Sequence, residues 1–282
     1  MQVLKSSAPE LFKLAASRAE RSDVLNTATW HYQGAGRTII LVHGFRGDHH
    51  GLSAIAGALG DHHVVIPDLP GYGKTAAFAA RHDLGSYGEW FAKFAAEFDN
   101  PVVLGHSFGS LVVAKSWEFG MQQPTVLLNP ISTAQGDSPA GKLADVYYKL
   151  GSKGLLGSAL LRSTPIVRGM SMAMATTWDL KLRSFIHDQH HRFFSNYTED
   201  RVVLEGYVAA STGNVLNHVA SKPEQLLLIA GAKDMIAPLK GQLELQRQTQ
   251  AELRTLECGH LTHYETPFEV GMIVRDFVRE IS

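Results

Sequence analysis

The chain has 282 residues, 45% apolar and 19% charged, which excludes a disordered chain and suits one large domain or a core carrying an insertion. Its 26 Lys and Arg nearly cancel 27 Asp and Glu, so at a formal charge of −1 there is no global field to attract nucleic acid or an anionic membrane, only room for local basic patches. The lone cysteine, Cys258, cannot close an internal disulfide, and neither a signal peptide nor an apolar run of membrane length is visible; a cytoplasmic protein with no membrane span is expected.

Short apolar runs alternate with segments of helical length. Residues 38–43 (TIILVH) read as a strand, 51–59 as a helix and 63–66 (HVVI) as a strand. A helix follows over 86–98, with Ser86 and Glu89 in the Ser-x-x-Glu pattern of a capping box at its start. Then come strand 101–105, helix 108–119 and strand 125–128. Beyond residue 221 the pattern resumes with strand 225–230, helix 238–248, strand 253–257 and a helix from about Pro267. The strands at 38–43, 63–66, 101–105, 125–128 and 225–230 are continuously apolar, as parallel strands covered on both faces are, which implies a doubly wound, mostly parallel α/β sheet. Between 131 and 221 no such strand run occurs, and 145–150, 155–161, 180–194 and 200–210 look helical. That stretch is too long for a bare loop, so it is expected to form a helical cap on a core made of 1–130 and 222–282.

The strongest chemical signal is Gly105-His106-Ser107-Phe108-Gly109, preceded by PVVL and followed by the helix-compatible SLVVAKSWEF. A serine on a sharp strand-to-helix turn has an exposed hydroxyl, the flanking glycines permit the strained turn, and the helix N-terminus faces any oxyanion that develops there. A Gly-rich turn with a capping serine remains the alternative for the pentapeptide alone. Downstream, strand 225–230 runs into Gly231-Ala232-Lys233-Asp234, and strand 253–257 into Cys258-Gly259-His260.

With nucleophile, acid and histidine in this order, each at a strand end, the sequence resembles the α/β-hydrolase family over nearly its whole length. The resemblance implies Ser107 as nucleophile, His260 as base and Asp234 as the acid that orients it. Val42-His43-Gly44-Phe45 resembles the family's His-Gly dipeptide, which implies an oxyanion hole from the backbone N–H groups of Phe45 and Phe108 and a structural role for His43. Pro67 to Lys74 resembles the turn after the next strand, with Lys74 where serine is common; Asp68 is expected to brace that turn.

Other residues compete for these roles. Asp137, in a polar loop, is an alternative acid that turn chemistry explains more simply. His263 competes with His260, and the Gly-His-x-x-x-x-Glu-x-Pro context of Gly259, His260, Glu265 and Pro267 favours His260. The clusters His49/His50, His62/His63 and His187/His190/His191 invite a metal, but without carboxylate or Cys partners at ligand spacing they are expected to be solvated. Met170, Met172, Met174 and the segment 155–161 could line an apolar acyl pocket but read first as packing within the cap, and Cys258 as a small buried strand residue. The expected function is hydrolysis of a small-molecule carboxylic ester or related acyl substrate through an acyl-enzyme, with no metal and no organic cofactor. A carbon–carbon bond hydrolase, weakened by Leu261 where tryptophan is common, an acyltransferase and a non-enzymatic binding protein stay open. The sequence leaves the oligomeric state undetermined.

Overall fold

The computed structural model describes residues 7–133 and 139–281; the side chains at 139, 140, 167 and 170–173 lie outside that description. The chain opens with Ala8–Ala16 (α1) and a hairpin of Ala19–Val24 (β1) and Thr27–Tyr32 (β2), paired antiparallel. Leu25 and Asn26 make its two-residue turn at φ of 48° and 60°, the left-handed pair that matches strand twist. Then come Gly36–Val42 (β3), Ser53–Ala58 (α2), His62–Pro67 (β4), Leu84–Ala95 (α3), Val102–His106 (β5), Phe108–Ser116 (α4) and Thr125–Leu128 (β6). The helices Pro139–Gly151 (α5), Gly154–Leu161 (α6), Thr164–Met174 (α7), Leu180–Phe193 (α8) and Asp200–Thr212 (α9) follow. Leu226–Gly231 (β7), Leu239–Thr249 (α10), Glu252–Leu256 (β8), Thr262–Glu265 (α11) and Pro267–Glu280 (α12) complete the chain.

The eight strands form one sheet in the order β1-β2-β4-β3-β5-β6-β7-β8, parallel from β4 to β8 and antiparallel at β1 and β2. Alternate side chains of each strand serve opposite faces. Ile40, Val42, Val65, Val103 and Leu127 pack with α3 and α4, while Ile39, Leu41, Val64, Ile66, Val102 and Leu104 pack with α2 and α12. Each such fully buried aliphatic side chain contributes about 1.5–3 kcal/mol of transfer free energy. Both faces being covered is why these strands are unbroken apolar runs in the sequence.

Two expectations need correction. The β1–β2 hairpin has no counterpart in the strand reading, because β1 (AERSDV) is almost wholly exposed and carries no apolar run. Helix α3 begins at Leu84, before Ser86: its N-cap is Asp83, whose carboxylate accepts from Ser86 N at 2.9 Å, and Glu89 pairs instead with Lys93 one turn on. Among the described residues of 131–221 there is no strand longer than a single bridge, Tyr72 to Tyr197. Tyr148, Leu161, Tyr197, Val202, Val203 and Ala209 from that stretch are buried in the same cluster as Phe108 and Leu111. Among the described residues, no helix is long and apolar enough to cross a membrane.

Candidate active site

Strand β5 delivers the chain to Ser107, whose backbone lies at φ 54°, ψ −119°, a conformation rare for a residue with a side chain. Two close approaches hold it there. A Cβ on Gly105 would come within 2.6 Å of Gly109 O, and one on Gly109 within 2.2 Å of Val42 O, so both positions exclude any larger residue. The Ser107 N–H donates to Leu128 O (3.0 Å), which pins the turn to β6. Ser107 is half-buried at the N-terminus of α4. The backbone N–H of Phe108 in that first turn and that of Phe45 in the loop after β3 have no hydrogen-bond partner among the described residues.

Asp234 and His260 follow β7 and β8. The Ser107 Oγ lies 2.8 Å from His260 Nε2, and His260 Nδ1 lies 2.7 Å from Asp234 Oδ2. A carboxylate only accepts, so Nδ1–H donates to Asp234 and Nε2 is left to accept from the serine hydroxyl. Burial works to raise the Asp234 carboxyl; the facing His260 ring and the N–H groups of Ala237 and Ile236 outweigh it, holding it below the ordinary value. The structure thus brings Ser107, His260 and Asp234 into one hydrogen-bonded row. Asp137, the alternative acid, lies outside the described residues. His263 is not in the row: it is buried beside His106, and burial drives it well below the usual imidazole range.

Three supporting residues complete the arrangement. Asn129, fully buried at φ 46° after β6, donates through Nδ2 to Asp234 Oδ2 (2.9 Å) and to the carbonyls of Gly259 and His260 (both 3.2 Å). Its Oδ1 accepts from Gly231 N (3.2 Å) and Thr262 Oγ1 (3.0 Å). Glu265 accepts from Thr176 N and Oγ1, Thr177 N and Gly259 N, joining the segment before α8 to the histidine loop. Arg46, next to Phe45, is fully buried. It donates to Ser195 Oγ (2.9 Å), to the Tyr147 and Tyr148 hydroxyls (both 3.3 Å) and to Leu161 O (2.6 Å). Among the described residues no carboxylate pairs with it. Asn129 and Arg46 escaped the sequence reading, the first marked there only by an asparagine at a strand end before Pro130.

His43 donates from Nδ1 to Gly44 O and accepts Leu69 N–H at Nε2, so it shapes the loop after β3. Asp68 accepts from His49 N and Nδ1, Lys74 N and Trp30 Nε1, bracing its turn. The expectation of solvated histidine clusters fails at three positions. His49 is buried against Asp68, His50 donates to Asp48 Oδ1 (2.9 Å), and His190 is buried, which lowers its pKa to about 4. Asp48, His49 and His50 each bring a ligand-type atom within 4.8 Å of the others, but both Nδ1 atoms are already committed to carboxylates. Cys258 is buried in the loop after β8, not within a strand, and burial raises its thiol. Met174 packs with Ile186, Leu261 and Tyr264; the Met170 and Met172 side chains lie outside the described residues. Two surface recesses, of about 380 and 30 Å³, have neither Ser107, Asp234 nor His260 in their linings.

A family model described as the alpha/beta hydrolase family matches residues 39–270. No curated protein matches the sequence. Among solved structures, a thermophilic esterase from Thermogutta terrifontis is similar at 18% identity and a TM-score of 0.74, over 93% of this chain and 99% of that one. An esterase from Exiguobacterium antarcticum is similar at 14% identity and 0.74, over 92% and 98%. A bromoperoxidase from Bacillus anthracis is similar at 13% and 0.72, over 93% and 99%.

Proposed function

Because the chain belongs to the alpha/beta hydrolase family, we propose that it is a serine hydrolase that cleaves a small-molecule carboxylic ester, or a related acyl substrate, through an acyl-enzyme on Ser107. What carries this reading is the row Ser107 Oγ to His260 Nε2 to Asp234 Oδ2, at 2.8 and 2.7 Å, with the serine held in a strained turn. His260 takes the serine proton as Oγ attacks the carbonyl carbon. Asp234 fixes the ring with Nε2 toward the serine and stabilises its charge while the ring holds the proton. The free N–H groups of Phe45 and Phe108 receive the oxyanion, each worth about 3–4 kcal/mol in comparable sites. His260 then returns the proton to the departing alcohol and activates water, which releases the acid and restores Ser107. No step uses a metal or an organic cofactor.

Residues 131–221 act as the cap over this site and select the substrate: Tyr148 of α5 packs on the Phe45 ring, and the helices α5 and α6 are bonded through Arg46 to the loop that carries Phe45. The esterase neighbours favour an ester over other acyl groups. A reducing, cytoplasmic setting suits the single buried thiol. A fluorophosphonate probe tests the assignment. One adduct at Ser107, lost in Ser107→Ala, with turnover on an ester panel exceeding that on amides and diketones, is the expected result. Labelling that survives Ser107→Ala refutes the nucleophile, and preference for a diketone refutes the ester.

A further inference from the structure

Helices α5 and α6 carry aliphatic side chains that the rest of the described protein does not cover. Leu143, Val146 and Leu150 recur at i, i+3 and i+7, hence on one face of α5, and are 73%, 54% and 46% exposed. Leu155 and Leu156, at the start of α6, are 91% and 87% exposed. Folding cannot turn this face inward, because the inner one is already committed: Tyr147 and Tyr148 receive the Arg46 guanidinium, and Leu161 is buried. Exposed apolar side chains grouped on one helix face and at the start of the next helix mark an interaction surface.

Its charge identifies the occupant. Exposed Lys142 and Lys149 lie beside Leu143 and Leu150, and Lys153 precedes Leu155; none of the three has an ion pair with a described residue. Residues 139–168 hold five cationic side chains against one carboxylate, in a chain of net charge −1. That carboxylate, Asp145, is exposed and accepts from the Tyr207 hydroxyl at 2.6 Å, while Arg162 is paired with Asp200, so the unpaired charge beside the leucines is that of the three lysines. We propose that the α5–α6 hairpin is a peripheral membrane-docking face for anionic phospholipid, its leucines entering the acyl boundary while the lysines reach the phosphates. A second copy of this chain is a poorer occupant, since a two-fold contact would oppose the same lysines.

Sedimentation with phosphatidylcholine vesicles, with and without phosphatidylserine, tests the proposal. Ser107→Ala serves as well as the unaltered protein, so the outcome does not depend on the hydrolase reading. Binding should require phosphatidylserine and weaken with salt. It should fall by about tenfold or more in Leu155→Glu/Leu156→Glu, and by about fivefold for each of Lys142, Lys149 and Lys153 replaced by Gln. The thermal unfolding midpoint and far-ultraviolet circular dichroism of these variants should match those of the unaltered protein, which verifies their fold. Equal binding to both vesicles, no binding, or a dimer that dissociates in the leucine variant overturns it.

Discussion

Replacing Asn129 by Ala is expected to cost more stability than any contact of the Ser107 side chain, because one amide satisfies groups on three strand ends. Its loss leaves the Gly231 N–H buried without an acceptor, at about 1–3 kcal/mol. It also removes a charge-assisted bond to Asp234, worth about 1.5–3 kcal/mol. Thr262 is spared, since its hydroxyl also reaches Gly259 O at 3.0 Å. The backbone at φ 46° suits Asn better than Ala by roughly 1 kcal/mol. Allowing for relaxation, we expect about 3–5 kcal/mol, read as a lower guanidinium midpoint at constant slope. Asn129→Gly separates the parts: it relieves the backbone while losing the same bonds, so it should recover roughly 1 kcal/mol over Ala. Ester kcat/KM should fall in both, as Asp234 is less firmly held. An unchanged midpoint together with unchanged kcat/KM would refute the bracing argument.

His260→Ala should lower kcat/KM on an aryl ester by roughly 10⁴-fold or more; near-normal turnover would remove the base from the mechanism. His106, His190 and His263 are buried and held below the ordinary imidazole value of about 6.5, His106 to about 3 and His190 to about 4. Their contribution to stability is therefore full above about pH 6.5 and is lost as pH falls toward the folded values, because the unfolded chain binds protons that the fold refuses. A urea midpoint that stays flat from neutral pH down to about 4.5 contradicts this. Gly109→Ala should not fold, since its methyl would sit 2.2 Å from Val42 O; a soluble, active variant would show the turn to be looser than described. Dialysis against EDTA should leave ester turnover intact, and activity lost and then restored by zinc would point to Asp48, His49 and His50.

The parallel strands β3 to β7 were legible because burial on both faces makes their central residues continuously apolar, whereas the edge strand β8 (ELRTL) keeps exposed polar positions and was read from its place before Cys258-Gly259-His260. The β1 strand was not, because an exposed edge strand such as AERSDV has the composition of a loop, and only pairing with β2 makes it a strand. Ser107, Asp234 and His260 were legible as residue types at strand ends. Their supports were not: Asn129 meets Gly231 across 102 positions and Arg46 meets Ser195 across 149, and no local pattern encodes such partners. Glu265 stood out beside His260, but its bonds to Thr176 and Thr177 depend on how the inserted segment returns to the core. The start of α3 was misplaced because Ser86 and Asp83 offer competing caps, and the structure uses the earlier one.

Arg46 has a mechanical consequence. The residue after Phe45 is bolted by its guanidinium into α5 and α6, and its carbonyl accepts the Ser195 N–H after α8. The helices therefore cannot swing outward as a free lid without dragging the Phe45 amide with them. If these helices cap Ser107 as proposed, substrate is expected to reach it by side-chain rearrangement or by motion of segments this bolt does not reach. Hydrogen exchange would register the linkage as one cooperative unit, with amides of the Phe45 loop and of α5 opening at a common free energy.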